Sequence, residues 1–110
     1  MPYFAHMTLM GHVGRITRSI STSGKPYVEM SIAVTSQRTD KNGERITSWF
    51  NIIFFGNNLE WIDKGDLVMV DGEPLITQYN DKYYTRVIAS RVLKVKGTES
   101  TKVAEDNSII

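Results

Sequence analysis

The run Thr47 to Gly56, T-S-W-F-N-I-I-F-F-G, constrains this chain more than any other stretch. Its length, its aromatic and β-branched content and its closing glycine specify a strand. Alternate side chains of a strand point to opposite faces, so Trp49, Asn51, Ile53 and Phe55 share one face and Phe50, Ile52 and Phe54 the other. The even face is wholly apolar and suits a core. The odd face holds two aromatic rings six residues apart around an asparagine, and at ~3.3 Å per residue those rings stand roughly 20 Å apart. That spacing seats several stacked bases and does not suit one small ligand. The competing arrangement, with both faces buried as in a sandwich, is left open by this run, and the flanking sequence weighs on it.

A chain of 110 residues forms one domain with a single core. It has no apolar run long enough for a membrane helix, and its start lacks the charged-then-apolar layout of a signal peptide, so a cytoplasmic protein that does not engage membranes is expected. Zero cysteines exclude disulfides and thiolate metal sites. The formal charge is +1 overall, but residues 1–96 carry +3 and residues 97–110 carry −2, a mildly basic body with a mildly acidic tail.

The segment Met7 to Ile16 is apolar with Gly11 and Gly14 inside it; glycine in a strand marks a bulge or a sharp bend, which predicts a strongly curved first strand. Its G-H-V-G matches the G-x-x-G of a backbone-clamping RNA loop, but that loop joins two helices and these flanks are strand-like. After a Ser/Thr/Gly turn, Tyr27 to Ser36 alternates, with Val28, Met30, Ile32 and Val34 on the apolar face of a half-buried antiparallel strand. Asn42-Gly43 marks a hairpin that leads into Thr47 to Gly56 and presents Arg38, Lys41 and Arg45 beside Trp49. Cations beside an aromatic suit a nucleic-acid surface, although any solvated hairpin tip also needs charges.

Asn57 to Lys64 followed by Gly65 predicts a short helix, with an Asn cap, Leu59 and Ile62 one turn apart and a terminal glycine. Trp61 is expected to pack on the sheet. Leu67 to Tyr79 is a fourth strand interrupted at Asp71-Gly72-Glu73-Pro74, which implies a bulge or an edge position and suits a barrel corner. Asn80-Asp81 is a tight turn, and Tyr83 to Val95 a last strand too continuously apolar for its inward face to be assigned. Tyr79, Tyr83 and Tyr84 cluster at that turn with Lys82 and Arg86. Residues 97–110 are expected to be a disordered tail. Five strands with one short helix between the third and fourth is the element order of the OB-fold, an all-β Greek-key barrel, here over residues 1–96.

Over about residues 7–96 the chain resembles the bacterial, phage and organellar single-stranded DNA-binding proteins. Four blocks carry the resemblance: the opening strand with G-H-V-G, then S-I-A-V, then T-S-W-F-N-I-I-F-F-G, then K-G-D-L-V-M-V-D-G with Y-N-D and Y-Y-T-R-V. The resemblance implies a non-enzymatic protein without cofactors that coats and protects single-stranded DNA in replication, recombination or repair. It implies stacking on Trp49, Phe55 and Tyr79 with cationic help from Arg15, Lys64 and Arg86; the hairpin cations Arg38, Lys41 and Arg45, and Lys82 and Tyr83 at the Asn80-Asp81 turn, join the candidate site from the residues themselves. It also implies a homo-oligomer, a tetramer or a dimer.

Departures from the family pattern are informative. A third stacking aromatic is replaced near Arg38, Leu75 and Thr77 stand where two arginines are usual, and the stretch from Gly56 to Gly65 is about one helical turn short. Binding weaker and less salt-sensitive than is usual for the family follows. The ending Glu105-Asp106-Asn107-Ser108-Ile109-Ile110 is a faint version of the acidic, hydrophobic-tipped tail that recruits replication or recombination proteins. A second reading is an accessory OB module of a replication complex whose work is a protein contact. Catalysis finds no support: no G-x-x-x-x-G-K-[ST], G-x-S-x-G or H-E-x-x-H is present, and His6 and His12 stand without a carboxylate cluster.

Overall fold

The strand-forming runs become five long strands in the computed structural model, which describes residues 3–95 and 102–105. They are β1 (Met7–Ile20), β2 (Pro26–Thr39), β3 (Arg45–Phe55), β4 (Leu67–Tyr79) and β5 (Lys82–Lys94). Their spatial order is β3-β2-β1-β4-β5, and a short parallel pairing of Asn51–Ile53 with Arg86–Ile88 closes β3 onto β5. All other contacts between neighbouring strands are antiparallel. The result is the closed five-stranded Greek-key barrel expected from the element order.

Closure removes most strand edges and produces one apolar interior. The even face of β3 enters it as alternation requires, with Ile52 and Phe54 buried, and meets Val28, Met30 and Ile32 of β2 and Val68 and Val70 of β4. Besides an irregularity between Thr35 and Thr39 near the β2–β3 tip, two bulges shape the barrel wall. In β1, Val13 pairs with Ile32 and Arg15 with Ser31, so Gly14 is the extra residue. In β5, Ala89 pairs with Gly72 and Arg91 with Asp71, so Ser90 is the extra one. A Cβ on Gly72 would collide with the carbonyl oxygen of Ile88, so the corner needs glycine there.

The predicted helix over Asn57 to Lys64 does not form. Leu59 has φ of 51°, a left-handed conformation that no helix continues through. The Asn57 side chain caps a turn instead, its Oδ1 accepting the Leu59 amide at 2.7 Å. A single turn follows, in which the Ile62 amide donates to the Leu59 carbonyl at 3.0 Å. Three carbonyls here are taken by one guanidinium: Arg18 Nε donates to Asn58 at 2.7 Å, and its NH2 to Leu59 at 2.8 Å and Ile62 at 2.6 Å. The i, i+3 spacing still places Leu59 and Ile62 in the core, both fully buried, with Trp61 packed against it. The segment is therefore a non-helical plug of the barrel end.

Two hairpins have the expected turns. Asn80 and Asp81 both have positive φ, 49° and 63°, which is the two-residue turn that matches strand twist. At the β2–β3 tip only Gly43 is left-handed, with φ of 80°, and the Asp40 carboxylate accepts the Asn42 and Glu44 amides at 2.8 and 3.1 Å. The tail expected to be disordered contains a sixth strand, β6 (Lys102–Glu105), antiparallel to Arg91–Lys94 of β5. That corrects the expectation for these four residues, because the β5 edge beyond its contact with β3 offers unpaired amides and carbonyls to a strand. The rest of the tail lies outside the described residues. Among the described residues no helix is long and apolar enough to cross a membrane.

Candidate nucleic-acid interface

Strand pairing sorts the outer surface of the barrel into rows of side chains that share a face. One row runs Arg15, Ser31, Asn51, Arg86, Leu75 across β1, β2, β3, β5 and β4. The next runs Thr17, Glu29, Ile53, Ile88, Glu73. Flanking them on β3, Trp49 sits beside Ala33, and Phe55 beside Tyr27.

Trp49 and Phe55 thus fall on one face, as alternation predicts, and they are 61% and 41% exposed. Exposure of two large rings on a sheet face settles the choice left open by the sequence: the odd face of β3 is a surface, not a second core. Ile53 between them is 8% exposed and forms the floor. The Phe55 ring leans on Tyr27, with centroids 6.0 Å apart and planes at 37°.

The β4–β5 ribbon rises beside this face and encloses an open groove of about 590 Å³. Arg15, Asn51, Ile53, Leu75, Tyr79, Tyr84 and Arg86 are among its lining residues, with Glu29 an acid on its wall. Among the described residues the side chains of Arg15 and Arg86 make no hydrogen bond or ion pair, so both guanidinium groups are available to an anion. Other cations are committed to the fold. Arg18 ties down the plug, and Lys94 reaches Asp66 Oδ2 at 3.0 Å and the Trp61 carbonyl at 2.8 Å.

The remaining sequence candidates divide by position. Tyr79, 68% exposed, pairs with Lys82 at the ribbon tip, so both lie on the groove side. Tyr83 is one residue out of phase and shares the opposite side of the ribbon with Gln78 and the exposed Ile76. Arg45 lies on the Trp49 side of β3, two residues beyond Thr47, whose hydroxyl meets that of Thr35 at 3.0 Å. Arg38 and Lys41 are exposed on the same hairpin, and neither lines the groove. Lys64 is exposed in the plug; the next amide, Gly65, donates to the Val13 carbonyl at 2.7 Å, which sets it at the Trp49 end. Sequence reasoning left Tyr84, Tyr27 and Asn51 out of the site. Each was legible in principle: Tyr84 is in phase with Arg86, Tyr27 heads the polar face of its strand, and Asn51 lies between the two rings.

A profile describing the single-strand binding protein family matches residues 4–95. The chain belongs to this family. Among relatives of that family, it is 30% identical over 101 residues to a "single-stranded DNA-binding protein" of Xanthomonas axonopodis pv. citri, covering 81% of this chain and 56% of that protein. It is 31% identical over 107 residues to "single-stranded DNA-binding protein 1" of Staphylococcus aureus, covering 86% of this chain and 69% of the relative. The crystal structure of the wild-type single-stranded DNA binding protein from Thermus aquaticus superposes with a TM-score of 0.69 at 19% identity, covering 86% of this chain and 52% of that one. That likeness concerns the fold. The chain spans between about half and two thirds of the length of these proteins.

Proposed function

We propose that this chain binds single-stranded DNA, stacking bases on Trp49, Phe55 and Tyr79 while cations follow the phosphates, and that it catalyses no reaction on the DNA. The exposed indole of Trp49 on one face with Phe55, beside a groove with two uncommitted arginines, carries this reading. Every base has a π-face, so such a surface accepts strands regardless of sequence. Coating of this kind prevents re-annealing and nuclease attack in replication, recombination or repair, in the cytoplasm of a bacterial cell or a phage-infected host. The names of the relatives support the choice of ligand.

Arg15 and Arg86 supply the central charge, with Lys82 at the ribbon tip and Arg38, Lys41, Arg45 and Lys64 toward the Trp49 end; Tyr83 serves a strand that passes around the tip. The protein works as a homo-oligomer, a tetramer or a dimer. Support comes from the outward row Met10, Met69 and Leu93 across β1, β4 and β5, where Met10 is 51% exposed. The end of the tail is a contact for replication or recombination proteins.

The test is fluorescence anisotropy with labelled oligo(dT) and a duplex of matched length. Trp49→Ala and Phe55→Ala should each cost ~1 to 3 kcal/mol on the single strand, about 5- to 150-fold in affinity. Equal affinity for the duplex, or affinity unchanged by both substitutions, would replace this reading with that of an accessory OB module.

A further inference from the structure

The bulge at Gly14 does two things to the face just described. In an unbulged strand Arg15 would follow the inward phase of Val13, which is buried; the extra residue turns Arg15 outward instead, into register with Ser31 on the groove face. The same residue lies against the edge of the Trp49 ring. A Cβ on Gly14 would collide with Cζ3 of the indole, would stand 2.9 Å from its Cη2 and would lie 3.3 Å from the Ser31 hydroxyl. The Cζ3–Cη2 edge of the Trp49 ring therefore lies against the bare backbone of the bulge, while most of the side chain is open to solvent.

We infer that Gly14 is a positioning residue of the nucleic-acid face, leaving room for the Cζ3–Cη2 edge of the Trp49 ring against β1 and so setting the orientation in which the indole meets a base. This rests on the proposed single-strand binding and names how its principal ring is oriented. The atoms in the way of a Cβ belong to the end of a mostly exposed side chain, not to the barrel core. A methyl group at Gly14 thus lifts or rotates the indole and leaves the barrel standing. Gly14 also has no left-handed φ, so alanine meets no backbone obstacle there.

The experiment is a double-mutant cycle between Gly14→Ala and Trp49→Ala, read by oligo(dT) affinity, with the emission of Trp49 followed in a Trp61→Phe background. Gly14→Ala should lower affinity about 5-fold or more, as expected for loss of one stacked base. It should shift Trp49 emission, and it should have no further effect once Trp49 is alanine. Trp49→Phe, which carries a smaller ring, should recover part of the loss in the Gly14→Ala protein. Equal losses in the presence and absence of the indole would overturn the inference, as would unchanged affinity in Gly14→Ala where Trp49→Ala weakens binding. No loss with Trp49→Ala would overturn the inference by removing Trp49 from the stacking site, whereas the binding reading falls only if Phe55→Ala is silent as well. If Gly14→Ala does not fold, folding restored by removing the indole supports the collision, and failure of the double variant to fold contradicts it.

Discussion

Replacing Arg18 by methionine keeps most of the aliphatic stem and removes the guanidinium that holds the plug at the barrel end. Three carbonyl acceptors lose a donor, and their circumstances differ. Asn58 is reached at an exposed position and can turn to water, so its loss is small. The Leu59 carbonyl keeps the Ile62 amide at 3.0 Å, so it loses one of two donors. The Ile62 carbonyl, in a part-buried contact at 2.6 Å, loses its charged donor. A buried acceptor left without a partner costs about 1–3 kcal/mol and a hydrogen bond with an alternative about 0.5–1.5 kcal/mol, so the substitution should destabilise the fold by about 2–3 kcal/mol. For a domain of this size each kcal/mol moves Tm by roughly 4–8 °C, which gives a drop of about 10–20 °C at fixed protein concentration. Thermal unfolding followed by circular dichroism measures it, and Trp61, a plug residue packed against the core, should red-shift as the plug loosens. Arg18→Lys should recover less than half, because one ammonium cannot fork across the carbonyls. A Tm within about 2 °C of the parent for Arg18→Met would refute the assignment of Arg18 as the tie of the plug.

The groove side of the ribbon should matter for binding and the far side should not: Tyr84→Ala should weaken oligo(dT) binding by ~1–3 kcal/mol while Tyr83→Ala changes the affinity for a short oligonucleotide by less than about 0.5 kcal/mol. Removing both Arg15 and Arg86 should flatten the dependence of log affinity on log salt by about 1.4, from two phosphate contacts at ~0.7 each, which titrations at four salt concentrations would read. Asp81→Gly should stabilise the protein by about 0.5–1 kcal/mol in urea unfolding, since Asp81 is held at φ of 63° and glycine suits that conformation.

How far the sequence carries depends on what sets each feature. Alternation along β3 was legible because one face is core and one is surface, and Ile52, Phe54, Trp49 and Phe55 obey it. It cannot be read through a bulge. The extra residue at Ser90 shifts the phase so that Val87, Ala89 and Val92 all face inward, and the pairing with β4 reveals this where the continuous apolar run of β5 does not. The same holds at Gly14, where glycine signals a bulge but gives no hint that Arg15 turns outward. The plug was misread as a helix because burial of Leu59 and Ile62 at i and i+3 is common to a helix and to a single turn. The decisive partner, Arg18, is 41 residues from Leu59 in the chain. Charge alone could not separate Arg18 and Lys94, which serve the fold, from Arg15 and Arg86, which do not. β6 was hidden because four residues have no pattern of their own and form a strand through the edge they join.

The central claim is that Trp49 is a stacking platform for single strands, and the direct test is its own fluorescence. In a Trp61→Phe protein, titrated with oligo(dT) and with a matched duplex at low and moderate salt, Trp49 should be strongly quenched by the single strand alone, and less so as salt rises. Emission from Trp49 that stays unchanged at saturating oligo(dT) would contradict the account.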